Sequence, residues 1–131
     1  MNEFQPKWLD PDAVRALHRR HLAEHGGADG VRDEGLLDSA LMRPQQRWHY
    51  APESSVGQLA SAYAYGLARN HPFVDGNKRT AVVAMLLFLA LNGYRLSATE
   101  DERYEVILGI ASSELEEEDL SEWIEGRLRP R

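Results

Sequence analysis

The sequence has no cysteine. That excludes disulfide staples, thiolate nucleophiles and cysteine-ligated zinc, and it fits a reducing compartment. A membrane span is also missing: the longest apolar run, Ala81 to Leu91, has eleven residues, against about 20 for a bilayer. Positive charge is in deficit, with 15 Lys and Arg against 21 Asp and Glu for a net charge of −6. A broad basic face for gripping nucleic acid is therefore not expected. A local basic patch stays open, because the acids gather late, at Glu114, Glu116, Glu117, Glu118 and Asp119. Met1 to Leu9 carries no apolar leader, so the expected location is cytoplasmic.

What is present suits a packed interior. At 131 residues and 43% hydrophobic, one domain spanning 1–131 is expected. Helix punctuation recurs along the chain. Asp10-Pro11 opens a first helix and Gly26-Gly27 stops it. Asp33 caps a second helix carrying Leu36, Leu37, Ala40 and Leu41, which Pro44 ends. Residues 43–52 read as irregular. Ser54 or Ser55 starts a third helix with Leu59, Tyr63 and Leu67 on its buried side, interrupted at His71 to Gly76. A fourth follows from Asn77 to Asn92, stopped by Gly93. Tyr94 to Ala98 has an extended character. Thr99 and Glu102 form a capping box for a fifth helix, and Asp119 to Leu128 makes the sixth, with Leu120, Trp123, Ile124 and Leu128 inward. The expected fold class is all-α: six helices around one buried central helix, the apolar fourth.

The start of that fourth helix carries the chemistry. Asp75-Gly76-Asn77-Lys78-Arg79 packs a carboxylate, a glycine, an amide and two cations into five residues. Free N–H groups at a helix start attract anions, and Gly76 permits close approach. Lys78 adds charge and Arg79 a forked donor, together a cradle for adjacent phosphates. Asp75 among phosphates calls for a bridging cation such as Mg2+. His71, just before the turn, is placed to take a proton from an attacking hydroxyl, and Phe73 to plug into the core. The plain alternative is a common Asp-Gly-Asn turn with a structural histidine.

The run HPFVDGNKRT resembles the signature of Fic-domain proteins, His-x-Phe-x-Asp/Glu-Gly-Asn-x-Arg, at every fixed position. The stretch Gly30 to Leu41 and the ending around Trp123 are similar to the Doc (death-on-curing) branch of this Fic/Doc, or Fido, family. The resemblance implies His71 as general base, Asp75 as the Mg2+ ligand, and Gly76, Asn77, Lys78 and Arg79 as holders of the ATP phosphates. It implies a flap that aligns the target's backbone, placed here on Arg43, Gln45, Gln46, Trp48, His49 and Tyr50. AMP-transferring members have glycine where this chain has Lys78, and a second arginine where it has Val82. Doc-type members share the lysine. The resemblance thus implies transfer of the γ-phosphate, with the nucleotide reversed, to a Ser/Thr hydroxyl of elongation factor Tu, blocking translation. A Phd-like antitoxin would be the partner. AMP transfer and a silent binding module are the alternatives.

Three weaker patterns remain. Ser121 to Gly126 matches a short autoinhibitory motif whose glutamate, Glu125, would pair with the missing second arginine; an amphipathic helix explains it more simply. His18, His21 and His25 share part of a helix face at a spacing metal sites can use; Glu24 is near but no carboxylate completes a convincing ligand set, so a solvated or partly buried face is the expected reading. The acids from Glu114 to Asp119 complement a helix N-terminus.

Overall fold

The structure is a computed structural model and describes residues 4–131; positions 1–3 of the N-terminal stretch read above lie outside the described residues. Six helices form: α1 (Pro11–His25), α2 (Glu34–Tyr50), α3 (Val56–Asn70), α4 (Asn77–Leu91), α5 (Glu100–Ala111) and α6 (Glu117–Glu125). The described residues are all-α apart from two three-residue strands, β1 (Tyr94–Leu96) and β2 (Leu128–Pro130), paired antiparallel with Tyr94 opposite Pro130. No helix among the described residues is long and apolar enough to cross a membrane.

The caps fall where the side chains dictate. Asp10, Asp33, Ser55 and Thr99 each accept a hydrogen bond from a first-turn N–H, and Ser55 and Thr99 complete capping boxes with Gln58 and Glu102. These bonds satisfy donors that the helix itself leaves unpaired.

Three expectations are corrected. The central helix is α3, not α4. Eleven of its residues are buried, and it packs against α2, α4, α5 and α6. Small residues make this possible: Gly57, Ala60, Ser61, Ala62, Ala64, Gly66 and Ala68 let neighbours approach on every side. At Gly66 a Cβ would sit 3.0 Å from the Ala40 Cα, so α2 and α3 meet almost backbone to backbone. Such residues carry little hydropathy, whereas the more apolar α4 buries seven residues and leaves Leu91 42% exposed. Secondly, α2 does not end at Pro44 but runs through it to Tyr50; Pro44 is buried, and Leu37, Ala40 and Leu41 before it are buried as well. Thirdly, α6 stops at Glu125, and Leu128 belongs to β2, where it lies opposite Leu96.

Glu125 closes the base of the bundle. Its carboxylate accepts from the Ser55 hydroxyl and from the Gly57 N–H at 3.1 Å, and so caps the N-terminus of α3. Removing it by Glu125→Ala is expected to lower the midpoint of thermal unfolding by a few degrees, read by scanning calorimetry; an unchanged midpoint would show that this cap does not support α3.

Candidate active site

The His71–Gly76 turn joins the C-terminal end of α3 to the N-terminal end of α4, the helix pair at the centre of the packing. His71 is the C-cap of α3, in the left-handed region at φ 49° and ψ 54°, and is exposed. Histidine is one of the non-glycine residues that populate this region more readily. Pro72 and Phe73 turn inward: Phe73 is 1% exposed. Its ring stacks on the buried His18 ring of α1, with centroids 3.7 Å apart and planes 10° from parallel.

Two side chains brace the turn. Asn77 is buried; its Oδ1 accepts from Phe73 N–H at 2.9 Å and its Nδ2 donates to Phe73 C=O at 3.0 Å. Its amide therefore shapes the loop, and what Asn77 offers a phosphate is its backbone N–H. His18 Nε2 lies 2.7 Å from the Asp75 carbonyl and donates to it. This strut between α1 and the turn was not assigned from sequence, where His18 was only one of three histidines on a helix face.

Beyond the turn, Gly76 adopts φ 77°, caps α4 without a side-chain hydrogen bond, and leaves the first-turn N–H groups uncapped. Half-buried Lys78 and exposed Arg79 stand on that first turn, where the helix dipole already favours an anion. Arg79 reaches a cleft of about 260 Å3, lined also by His21, His25, Val82, Val83, Glu100, Asp101 and Tyr104. The exposed Asp75 carboxylate accepts from Gly76 N–H at 2.8 Å through Oδ1. Its other oxygen faces Gly27, where a Cβ would lie 2.8 Å away and where φ is +122°. The positive φ favours glycine at position 27, and a side chain there would push the Asp75 carboxylate aside. Asp75 is a hard oxygen donor on the surface; because the adjoining helix start favours anions, it would fit Mg2+ only together with phosphate oxygens held there.

The residues expected to form a flap are helical, not irregular. Arg43, Gln45, Gln46, Trp48, His49 and Tyr50 lie in the second half of α2. Their N–H groups are turned into the helix, so they do not form the extended edge that would pair with a target strand. Arg43 is tied to Glu117 and lies over the Tyr65 ring, and Trp48 packs edge-on against Phe4. The end of α2 near the turn is the other one: Asn70 Nδ2 donates to the Leu36 carbonyl, about 18 Å of helix from Trp48. The segment that borders His71 is the loop 26–33. Arg32 and Asp33 N–H groups donate to Pro72 C=O, Val74 N–H donates to Gly30 C=O, and Val31 bridges Phe73 in antiparallel fashion. The Arg32 guanidinium donates to the carbonyls of His71 at 2.8 Å and Asn70 at 2.9 Å. The turn signals at Gly26-Gly27 and Asp29-Gly30 marked this loop in the sequence, but nothing in one dimension tied it to His71.

These two carbonyls are the last of α3, so Arg32 holds the peptide that carries the imidazole. With His71 acting as a base, Arg32→Ala would reduce turnover by about tenfold or more, as misplaced catalytic groups do; equal initial rates of transfer in the variant would show that His71 needs no such support.

A turn of this composition at the start of a buried-faced helix, inside a six-helix frame, defines the Fic/DOC family, whose model matches residues 8–89; the chain belongs to that family. Its relatives there include Protein kinase doc of Escherichia phage P1, 32% identical over 107 residues, covering 82% of this chain and 84% of the phage protein. Toxin Doc of Mycolicibacterium smegmatis is 47% identical over 77 residues, or 58% of this chain and 59% of that protein.

Proposed function

We propose that this chain is a Doc-type toxin that moves the γ-phosphate of ATP to a Ser/Thr hydroxyl of a protein, with elongation factor Tu as the target and arrest of translation as the result. The observation that carries the reading is the cation pattern of α4. Lys78 stands beside Arg79 in the first turn, and Val82 occupies the position one turn on, where AMP-transferring members of the family carry a second arginine. With one cation gained low on the helix and one lost above it, the triphosphate lies reversed and presents its terminal phosphorus. A phage relative that bears the name Protein kinase doc supports the same choice.

In this reading His71 accepts the proton of the target hydroxyl as its oxygen bonds to the γ-phosphorus. The bond from that phosphorus to the β,γ-bridging oxygen breaks, and ADP departs. The N–H groups of the α4 start, Lys78 and Arg79 hold the phosphate charge. Asp75 would hold Mg2+, which when bound supplies positive charge to the phosphate oxygens. The loop 26–33, bordering His71, takes over the docking role first given to the end of α2. A Phd-like antitoxin, disordered at one end and helical once bound, would restrain the toxin.

Incubation of the protein and purified elongation factor Tu with ATP labelled at either the γ or the α position tests the reading. Label on the factor from the γ position alone is expected. Label from the α position would make the chain an AMP transferase, and none from either would leave a binding module.

A further inference from the structure

The C-terminal end of α1 carries a group of donors that phosphate transfer does not use. His21, Glu24 and His25 are spaced i, i+3, i+4 and so share one face of the last helical turn. One ligand atom from each lies within 4.8 Å of the other two. His25 Nε2 is 3.9 Å from Glu24 Oε2, and the two imidazoles stack with centroids 5.7 Å apart and planes 15° from parallel. His18, one turn earlier, is not available, because Asp75 C=O and Phe73 hold it.

His21 Nδ1 is buried and has no hydrogen-bond partner. Across the cleft, the first turn of α5 presents Glu100 and Asp101 to the same space. Two cations face the group as well: Arg20 donates to Glu24 Oε1 at 3.2 Å, and Arg79 lines the cleft. The carboxylates of Glu24, Glu100 and Asp101 outnumber them. Two imidazoles with one carboxylate suit zinc, whereas magnesium prefers oxygen alone. Zn–N bonds of about 2.0–2.1 Å in a tetrahedron set donors about 3.4 Å apart. Glu24 and His25, with side chains 52% and 42% exposed, have the freedom to close that remaining gap.

We propose that His21, Glu24 and His25 form a Zn2+ site at the end of α1, completed by water or by a carboxylate from the start of α5. Gly26 and Gly27 follow at once and lead into the loop that packs on Asp75 and Pro72. Zinc would fix the root of this loop and join α1 to α5 across the cleft. The inference does not depend on the phosphate-transfer reading, since its measurements need neither ATP nor target.

The test uses the full chain without an affinity tag, stripped of metal, in competition with a chromogenic zinc chelator, and in thermal unfolding with and without zinc chloride. One equivalent of zinc bound in the micromolar range is expected, together with a raised unfolding midpoint. Glu24→Gln and His25→Gln, both at exposed positions, should each weaken binding by about tenfold or more and remove the thermal shift. His49→Gln, at an exposed position on α2, should change neither. X-ray absorption of the zinc-loaded protein should show imidazole nitrogen in the first shell. Absence of binding at tens of micromolar zinc, binding that survives His25→Gln, or equal weakening by His49→Gln would each overturn the site.

Discussion

Under the proposed phosphate transfer, His71→Ala protein should bind ATP as tightly as the parent and transfer phosphate about 10²–10⁴ times more slowly, the usual contribution of a positioned general base. The groups that hold nucleotide in this reading are the α4 start, Lys78 and Arg79, and the substitution touches none of them. Its effect therefore belongs in turnover and not in affinity. One complication is the left-handed backbone at position 71, which alanine adopts at a cost of roughly 1–2 kcal/mol. His71→Asn separates the two effects, because asparagine tolerates this conformation. It should match the parent in thermal stability and the alanine variant in lost activity. Single-turnover labelling of the target, with ATP affinity measured in parallel, would read both quantities. Full transfer by either variant would end the assignment of His71 as base.

Phe73→Ala should be the most destabilising single change in the turn. The ring is buried and stacked on His18, and truncating such a side chain costs about 3–5 kcal/mol. For a domain of this size the unfolding midpoint should fall by about 10–20 °C. Activity should fall further than the folded fraction, because the hole lies between α1 and the turn. The His18 ring loses its partner, and with it the firm hold on the Asp75 carbonyl. Phe73→Leu, which refills much of the volume, should recover most of the stability and only part of the activity. Scanning calorimetry and labelling at a temperature where each variant is folded would separate these effects. A midpoint within a few degrees of the parent for Phe73→Ala would mean that the ring does not anchor the loop.

Much of the fold was legible because helix boundaries are written locally. Asp10-Pro11, Asp33, Ser55 and Thr99 act within their own first turns, and one-dimensional spacing is enough to find them. Pro44 misled for the same reason. A proline ordinarily marks a helix end, yet α2 continues through it because Leu37, Ala40 and Leu41 on one side of it already hold that helix against α3. Burial beyond the near neighbours was less visible. Glycine and alanine contribute little apolar character to a sequence, so α3 looked less central than the leucine-rich α4. The β1–β2 pair joins segments more than thirty residues apart, too far for any local pattern to announce.

By itself the sequence determined the composition of the catalytic turn and the helix that follows it. His71, Asp75, Gly76, Lys78 and Arg79 fall within nine consecutive residues, and residues so close in the chain carry much of their own geometry. Only the tertiary structure decided what supports that turn and what lies beside it. Arg32, His18 and Gly27 reach it from loops and helices distant in the chain, and the surface bordering His71 proved to be the loop 26–33 instead of the end of α2. The physical reason is that hydrogen bonds such as Arg32 to His71 C=O, and close approaches such as Gly27 to Asp75, exist only once packing has brought separate segments together.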